Sequence, residues 1–380
     1  MSHRYLHIIS LDVPYPADYG GVMDIFYKIC SLHNAGIRIY LHCFSNGRPP
    51  QDELDQYCEE VFYYKRKNFF QALPFNIPFM VASRNNDALL NNLQKDNHPI
   101  LLEGIQCSYL LHCNALPNRR FYLRLHNTEY LYYQKLAELE QNIFKKWYYQ
   151  NECRLLKKYE QSISHKAPLF ALSKSDMAVY KKRFGIFTIH FIPAFTPWEK
   201  LNPAEGKGKY CLYHGNLSIN ENEQAVLWLL NNVFCKTNIP FIVAGKRPSD
   251  KLEAAIEKFA NCTLIENPTN KEMQELVEQA QVNVLPSFNN TGVKLKLLNA
   301  LYNGRHCLVN KASIEGAELE QTCTIAQEPE KFLAATIQLF GKEFSKEDLA
   351  VRQQALALWY NNERNAAQLI SLIDFGVEKL

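Results

Sequence analysis

The stretch "VNVLPSFNNTGVKLKLLNALYNGRHCLVN", residues 282–310, sets a polar turn and an amphipathic segment between two short apolar runs. VNVLPS (282–287) predicts a strand, and the apolar residues that recur at helical spacing after Lys294 predict a helix. A second short strand follows the glycine at 304. Because parallel strands are joined by crossover helices, this unit predicts a parallel α/β sheet.

The same alternation of strand and helix extends through the rest of the chain. Upstream of this stretch, the pattern predicts strands at 210–216, 240–246 and 262–267 and helices at 220–234, 249–260 and 271–280. In the first half it predicts strands at 5–11, 37–45, 61–66, 99–104, 120–127, 168–175 and 189–195, and helices at 23–36, 87–95, 129–167 and 176–185. Such repetition is typical of a doubly wound parallel sheet with helices on both faces.

A change in composition divides the two series. TPWEKLNPAEGKGK (196–209) has two prolines, two glycines and no apolar periodicity, which predicts a linker. A length of 380 residues also favours two domains. We therefore predict an α/β protein with two Rossmann-like domains, 1–195 and 210–344, that face a cleft, and an all-helical tail at 345–380.

The composition excludes several classes of protein. The 11 cysteines show neither C-x-x-C pairs nor metal-ligand spacing, which indicates reduced thiols in the cytoplasm. A net charge of +3 is too small to indicate a nucleic-acid partner. The apolar run at the N-terminus is too short for a signal peptide, and no run has transmembrane length. We expect a soluble, cytoplasmic protein.

The turns that follow the predicted strands are the candidate ligand sites, because ligands bind beyond the carboxyl ends of parallel strands. Gly20 and Gly21 open a helix and would let the backbone approach an anion closely, although a simple turn is an equal alternative. The other candidates after the strands are Glu103, His126, Asn127, Glu129, Ser173, Gly215, Asn216, Lys246, Arg247, Thr291, Gly292, Val293, Lys294 and Lys296.

Lys294 and Lys296 give the sharpest prediction. Gly292 permits an unusual backbone turn, and the helix that follows offers N–H groups and the positive end of its dipole. Lysine charges at that point suit a diphosphate, and Lys246 with Arg247 would add positive charge from the neighbouring strand. Solvated surface lysines are the alternative. The chain has no G-x-G-x-x-G after a strand and no P-loop, so we expect no dinucleotide cofactor.

His126 and Glu103 are candidates because each ends a predicted strand. A lone histidine is more often a structural residue, but Asn127 and Glu129 beside it favour a functional role. No H-E-x-x-H or D-x-D pattern occurs, so a metal-dependent reaction is not predicted.

Four segments together resemble the GT-B-fold glycosyltransferases of the retaining family 4 type. They are YPADYGGVMDIFYKICSLHNAGIRIYLHCF (15–44), LYHGNLSINENEQAVLWLL (212–230), FIVAGKRPS (241–249) and the opening stretch, which is similar to the family's G-[VI]-K-x-K turn. The resemblance implies a hexosyltransferase that moves a sugar from a nucleotide-sugar to a glycan or lipid-linked acceptor, as in polysaccharide biosynthesis, with retention and without a metal or other cofactor. It also implies that the helical tail crosses back to the first domain.

The resemblance further implies roles for particular residues. Lys294, with Arg247 or Lys246, would neutralise the leaving diphosphate, which is where negative charge develops. Gly20 and Gly21 would lie against that diphosphate, and His126 would approach the donor sugar. Asn299 and Thr291 stand where the family has two glutamates; an amide at 299 makes a weaker contact with a ribose hydroxyl than a carboxylate does.

Two other functions stay open at this stage. The substitutions at 291 and 299 are compatible with an inactive homologue that acts as a binding protein, and a sugar-nucleotide epimerase shares the fold but needs further acid–base residues. The segments 63–70 and 144–160 mix basic and aromatic residues, which predicts a peripheral contact with the inner face of a membrane. A solvated helix face with its aromatic residues in the core is the alternative.

Overall fold

The computed structural model describes residues 4–45, 47–72 and 76–376. The strands are β1 Arg4–Ser10, β2 Ile37–Ser45, β3 Glu60–Lys65, β4 Ile100–Glu103, β5 Phe121–Leu125, β6 Leu169–Ala171, β7 Ile189–Phe191, β8 Cys211–Asn216, β9 Phe241–Lys246, β10 Cys262–Glu266, β11 Val282–Val284, β12 His306–Val309 and β13 Thr324–Ile325. Each strand of the predicted series is present, while β13 was not predicted.

Helices connect nearly all of these strands. They are α1 Gly20–Asn34, α2 Phe79–Ala82, α3 Asp87–Leu93, α4 Tyr109–His112, α5 Glu129–Leu139, α6 Ile143–Ile163, α7 Lys174–Phe184, α8 Asn220–Asn232, α9 Asp250–Ile256, α10 Asn270–Gln279, α11 Leu295–Asn303, α12 Lys311–Ile314, α13 Pro329–Gly341, α14 Lys346–Trp359 and α15 Asn362–Leu372. Short 3₁₀ helices lie at Asp52–Gln56, Phe70–Ala72, Ile105–Cys107, Phe234–Lys236 and Glu320–Thr322.

The chain divides into two compact units. One contains the chain up to Pro197 and again from Tyr360, and the other contains Trp198–Trp359. The structure thus divides the predicted helical tail: α14 lies in the second unit and α15 in the first. No helix within the described ranges combines the length and the apolar character that a membrane span requires.

The first unit contains a seven-stranded sheet in the order β3-β2-β1-β4-β5-β6-β7, with all its pairs parallel. Strands β4 and β5 are buried along their whole length, because helices cover both faces of the sheet. One hydrophobic core of this unit lies against α1, β1 and β2. The end of the chain completes it, because Ala366, Leu369 and Ile373 pack with apolar residues of those three elements.

The second unit contains a six-stranded parallel sheet in the order β10-β9-β8-β11-β12-β13. From β8 the chain winds outward to β9 and β10, and it then returns to the other side for β11, β12 and β13. The strand order therefore reverses between β8 and β11. In open α/β sheets such a reversal leaves a crevice beyond the carboxyl ends of the two strands, where ligands bind.

Local signals account for several helix ends. Thr269 and Glu272 form a capping box at the start of α10. Gly185 ends α7 in the left-handed conformation, with φ of 70°. The single helix predicted for 129–167 is two helices, because Asn142 caps a new one: its side chain accepts from the N–H groups of Phe144 and Lys145.

Candidate functional site

In the second unit, four segments meet at the carboxyl ends of β8 and β11. They are the end of β8, the first turn of α8, the turn 285–294 and the first turn of α11. Asn222 of α8 links two of them, since its side-chain amide donates to the carbonyl oxygen of Asn216 at 2.8 Å. The predicted residues Gly215, Asn216, Thr291, Gly292, Lys294 and Lys296 are thus brought to one edge of one sheet.

Lys294 is the N-cap residue of α11, and within the described part of the chain no side chain caps that helix. The left-handed backbone of Gly292, with φ of 64°, turns the chain just before it. The Lys294 ammonium donates to the carbonyl oxygen of Thr291 at 2.9 Å and lies 3.8 Å from the carboxylate of Glu221. Glu221 in turn accepts from the hydroxyl of Ser287. The arrangement sets a positive side chain at the positive end of a helix dipole.

Lys296 lies in the first turn of α11 and points back to β8. Its ammonium donates to the Tyr213 hydroxyl and to the side-chain oxygen of Asn222, both at 2.9 Å, and it lies 4.5 Å from the centre of the Tyr213 ring. Burial lowers the pKa of Lys296 to about 7, and although the charge of Glu221 opposes this shift, that of Lys294 adds to it. The charge of this lysine therefore changes near neutral pH.

His214, on β8 beside these residues, is buried, and burial followed by the charge of Lys296 lowers its pKa to about 3. It is neutral at neutral pH. Glu221 lies 3.8 Å from Lys294, whereas Glu223, also in the first turn of α8, accepts from the Ser249 hydroxyl at 2.7 Å. The two lysines therefore face one carboxylate, Glu221, and the charge around them is positive when Lys296 is protonated. Such a site favours an anionic ligand.

Lys246 is the last residue of β9 and Arg247 follows it, and both are exposed. Arg247 has a positive φ of 52°, and its N–H donates to the side chain of Asn267 at 3.0 Å. β9 lies next to β8, with Gly245 directly opposite Gly215. A Cβ on Gly245 would come within 1.9 Å of the Gly215 carbonyl oxygen, so the two strand ends approach more closely than any side chain would allow.

The remaining predicted residues of this unit have local partners. The hydroxyl and the N–H of Thr291 both donate to the side chain of Asn289 at 2.9 Å. Val293 is half-buried between Gly292 and Lys294. Asn299, one turn further along α11, accepts through Oδ1 from the Asn303 amide at 2.8 Å. Its side chain is thus held by a neighbour on the same helix.

In the first unit, Glu103 and His126 belong to a buried cluster at the carboxyl ends of β4 and β5. His126 Nε2 lies 3.0 Å from the carboxylate of Glu103, and the ammonium of Lys28, on α1, lies 2.8 Å from the same carboxylate. Since a carboxylate only accepts, Nε2 of His126 carries the proton of that hydrogen bond. Burial alone would raise the pKa of Glu103, but the Lys28 ammonium and the hydrogen bond from His126 hold it below its usual value.

Asp24 extends this cluster. Its carboxylate accepts from Lys28 at 3.1 Å and from Arg124 at 2.9 and 3.0 Å, and it also accepts from the Phe195 N–H at 2.8 Å. Burial opposes ionisation, but Arg124 and Lys28 hold the pKa of Asp24 well below its ordinary value. Burial, the stronger influence on Lys28, lowers the pKa of its ammonium.

Asp24, Glu103 and His126 also have donor atoms within 4.8 Å of one another, a spacing that could hold a metal ion. The ion pairs decide against an open ligand set, because Lys28 and Arg124 already balance the two carboxylates. A divalent cation there would have to displace or oppose both basic side chains. We interpret the cluster as a device that fixes the position of His126.

The other predicted residues of the first unit differ in their burial and in their hydrogen-bond partners. Gly20 and Gly21 form the first turn of α1, and that turn, which lies wholly within the described residues, holds no acidic side chain. Glu129 is buried, accepts from Gln106 at 3.2 Å, and has its pKa raised to about 7 by burial. Asn127 is half-buried. Ser173 is fully buried and caps α7, accepting from the Asp176 N–H at 3.0 Å; this is the contact of a structural residue.

Residues 208–342 match the sequence model of the family described as "Glycosyl transferases group 1". This range covers β8 to α13, and therefore the whole edge that holds Lys294 and Lys296. This part of the second unit is therefore similar in sequence to the group 1 glycosyltransferases. A protein of Klebsiella pneumoniae, "Uncharacterized 44.6 kDa protein in cps region", is 29% identical over 328 residues, covering 81% of this chain and 83% of its own length.

Solved structures of glycosyltransferases are similar to this chain over nearly its whole length. A variant of Staphylococcus aureus TarM, in complex with Fondaparinux, alpha-GlcNAc-glycerol and UDP, has a TM-score of 0.69 at 11% identity and covers 98% of this chain and 100% of its own. Anabaena HepE, in complex with UDP and glucose, has a TM-score of 0.65 at 12% identity, with coverage of 98% and 100%. A Rickettsia africae glycosyltransferase has a TM-score of 0.66 at 12% identity, with 98% of each chain covered. At this identity the similarity establishes the fold, GT-B, as the sequence predicted.

Several residues around these sites were missed by the sequence interpretation. In the second unit they are Tyr213, Glu221, Asn222 and Ser287. In the first unit they are Asp24, Lys28 and Arg124. The sequence did indicate the three residues of the first unit. Asp24 and Lys28 are four residues apart on an otherwise apolar helix, and Arg124 interrupts an apolar strand. Tyr213 and Asn222 gave no such signal, because their role depends on how Lys296 folds back.

Proposed function

We propose that this protein transfers a hexose from a nucleoside-diphosphate sugar to a glycan or lipid-linked acceptor in polysaccharide biosynthesis, with retention and without a metal ion. One observation carries the proposal: Lys294 and Lys296 converge at the start of α11, beside the point where the strand order of the second sheet reverses. The group 1 family match over 208–342 and the UDP-bound relatives of the same fold support it.

The chemistry follows from where charge develops. When the bond between the anomeric carbon and the diphosphate breaks, negative charge grows on the leaving phosphate oxygens. Lys294 and the N–H groups of the first turn of α11 would stabilise that charge in place, and Lys246 or Arg247 would add to it. The acceptor hydroxyl forms the new bond to the anomeric carbon, and its proton passes to the leaving phosphate, so no nucleophile from the protein is needed.

His126 is proposed to contact a sugar hydroxyl through the edge of its ring that Glu103 does not hold. The Glu103 carboxylate fixes Nε2 as the protonated nitrogen, so Nδ1 is left to accept from a hydroxyl. Gly20, Gly21, Asn127 and Glu129 stay proposed ligand contacts of the first unit.

One observation favours a second candidate, a binding protein without transferase activity. Asn299 stands at the position proposed for ribose recognition, yet its side-chain oxygen accepts from Asn303 within α11. An amide already held by a neighbour offers less to a ribose hydroxyl than a carboxylate would.

The test is thermal unfolding with UDP, GDP, ADP, CMP and dTDP. A ligand at about 100 times its Kd adds about 2.7 kcal/mol to the free energy of unfolding. We expect one nucleoside diphosphate to raise the Tm of the wild type, and Lys294→Ala to abolish the rise. Lys331→Ala is the matched control, since Lys331 is an exposed lysine of the same unit and pairs with Glu328 at 3.0 Å.

Turnover then separates the two candidates. The wild type is incubated with the sugar derivative of the nucleotide that binds, and release of the nucleoside diphosphate is measured with and without an oligosaccharide acceptor. Binding with release supports the transferase, and binding without release supports the binding protein. If none of the five nucleotides raises the Tm, both proposals fail.

A further inference from the structure

The first turn of α6 exposes three large apolar side chains. Ile143 is 80% exposed, Phe144 86% and Trp147 70%, and two exposed lysines, Lys145 and Lys146, lie between them. The sequence alone left it open whether the aromatic residues of this segment face the core. The structure turns Phe144 and Trp147 outward.

Helical geometry extends this turn into a continuous face. Positions 143, 147, 154 and 158 lie within about 60° of one another on a helix of 3.6 residues per turn. They carry Ile143 and Trp147 at the start of α6 and Arg154 and Lys158 further along. Positions 143 and 158 of α6 are separated by 15 residue steps, so this face extends over about 22 Å.

The charge of the face has a single sign. Within α6 the acidic residues are Glu152 and Glu160, and both are buried on the opposite side: Glu152 accepts from the Phe79 N–H at 3.0 Å, and Glu160 accepts from the Tyr180 hydroxyl at 2.8 Å. The exposed positions of this helix, every residue of which the structure describes, carry Lys145, Lys146, Arg154, Lys157 and Lys158 and no carboxylate.

The acidic residues nearest in sequence already have local contacts. Glu138 lies 2.7 Å from the ammonium of Lys135, and Glu140 accepts from the Asn142 N–H at 2.9 Å. They lie before the helix begins, so the face of α6 itself combines an apolar end with a basic surface.

We propose that this face of α6 docks on an anionic lipid surface. Ile143, Phe144 and Trp147 enter the boundary between headgroups and acyl chains, and the basic residues on or beside this face lie against the anionic headgroups, namely Lys146, Arg154, Lys157 and Lys158. Two features favour lipid over a folded protein partner. The apolar residues form one turn rather than a broad patch, and lysines, which are depleted from protein interfaces, stand between them.

The lipid contact does not depend on glycosyl transfer. Its consequence for the acceptor does rest on the proposed function: a transferase held on a bilayer by its first unit would meet acceptors that carry a lipid anchor. Phe69 and Phe70, in the other aromatic and basic segment, are also exposed, but the inference does not need them.

The experiment is cosedimentation of the full chain with vesicles of phosphatidylcholine alone and of phosphatidylcholine with 30% phosphatidylglycerol, where about 30% is a composition that gives a strong anionic surface potential. We expect the wild type to pellet with the anionic vesicles only, and less as salt rises. Phe144→Glu with Trp147→Glu is expected to weaken the partition at least tenfold. Because both side chains are exposed, the double variant should keep the Tm of the wild type.

Phe187→Glu is the matched control, since Phe187 is 79% exposed in the same unit but lies after α7. It should pellet like the wild type. Equal sedimentation of the wild type with and without vesicles would overturn the proposal, and so would equal binding by the double variant. A wild-type dimer in analytical ultracentrifugation, lost in the double variant and accompanied by no vesicle binding, would show that a second copy covers this face instead. None of these outcomes depends on nucleotide binding, so they leave the proposed function untouched.

Discussion

A lysine that is charged only below neutral pH makes the proposed nucleotide site sensitive to pH. Lys296 has its pKa lowered by burial to about 7, whereas in the unfolded chain a lysine titrates at about 10.4. A bound diphosphate favours the charged form. We therefore expect the affinity of the nucleoside diphosphate to fall as pH rises from 6 to 8.5, because Lys296 loses its proton in that range.

Isothermal titration of the wild type and of Lys296→Met across this pH range checks the prediction. The nucleotide's own titration affects both proteins equally, so the difference between the two profiles reports Lys296. The affinity of the variant should be lower at pH 6 and close to that of the wild type at pH 8.5. Parallel profiles would show that Lys296 does not titrate in this range.

The lowered pKa of Lys296 also affects the free energy of unfolding when no ligand is bound. The folded pKa of Lys296 is depressed, so between pH 7 and about 10.4 the unfolded state binds more protons than the folded state. The contribution of this group to the free energy of unfolding therefore rises with pH across that range. Solvent screening reduces its size, since the side chain is only partly buried.

At the scale of single residues, the sequence could identify Lys294, because a glycine turn before a helix is a local pattern. It could not show that Lys296 would fold back on Tyr213, which is 83 residues away along the chain. Glu103 was predicted, and Asp24, Lys28 and Arg124 left a local signal, but the sequence could not show that they form one cluster, since they come from separate elements.

At the scale of elements, the close approach of β8 and β9 requires a glycine. A Cβ on Gly245 would lie 1.9 Å from the carbonyl oxygen of Gly215 and 2.8 Å from the side chain of Leu217. Overpacking of this kind costs roughly 1–3 kcal/mol, and a clash with backbone lies at the upper end. We expect Gly245→Ala to lower the free energy of unfolding by at least about 2 kcal/mol.

Gly341→Ala is the matched control for this change. A Cβ at Gly341 meets no atom of the described residues within 4 Å, and the residue lies at the end of α13, where alanine favours the helix. Urea unfolding followed by circular dichroism measures both variants. Equal midpoints for Gly245→Ala and the wild type would mean that the two strands separate without cost.

The elements themselves were largely predictable, because alternating strands and helices in a doubly wound sheet leave a strong periodic pattern. The exceptions have physical reasons. β13 has only two residues, too few to separate from a loop, whereas α13 has 13 residues with buried positions at 332, 336 and 339, a helical spacing that the interpretation missed. The break between α5 and α6 depends on the cap that Asn142 provides, which outweighs the helical periodicity on both sides.

At the scale of the whole molecule, the first unit is built from two distant parts of the chain. Leu369 of α15 is fully buried in the core formed by α1, β1 and β2. Replacing a buried leucine with alanine typically costs about 2–5 kcal/mol. We expect Leu369→Ala to raise hydrogen exchange in β1, β2 and α1 and to leave the strands of the second unit unchanged.

Hydrogen exchange followed by mass spectrometry assigns the change to each unit. Leu358→Ala, at a position 45% exposed on α14, serves as the control and should leave exchange in the first unit as it is in the wild type. Faster exchange in β8 to β12 of the Leu369 variant would contradict the division of the chain at Tyr360.

The two-part chain of the first unit also determines the order in which a ribosome can complete the protein. The residues that close its core on α1 leave the ribosome only after the whole of Trp198–Trp359 has been made. At roughly 5–20 residues per second, this delay is on the order of 10–40 s after Pro197. The second unit, which is continuous in sequence, is therefore complete first, and a chain that stops before α15 leaves the apolar side of α1 open to chaperones.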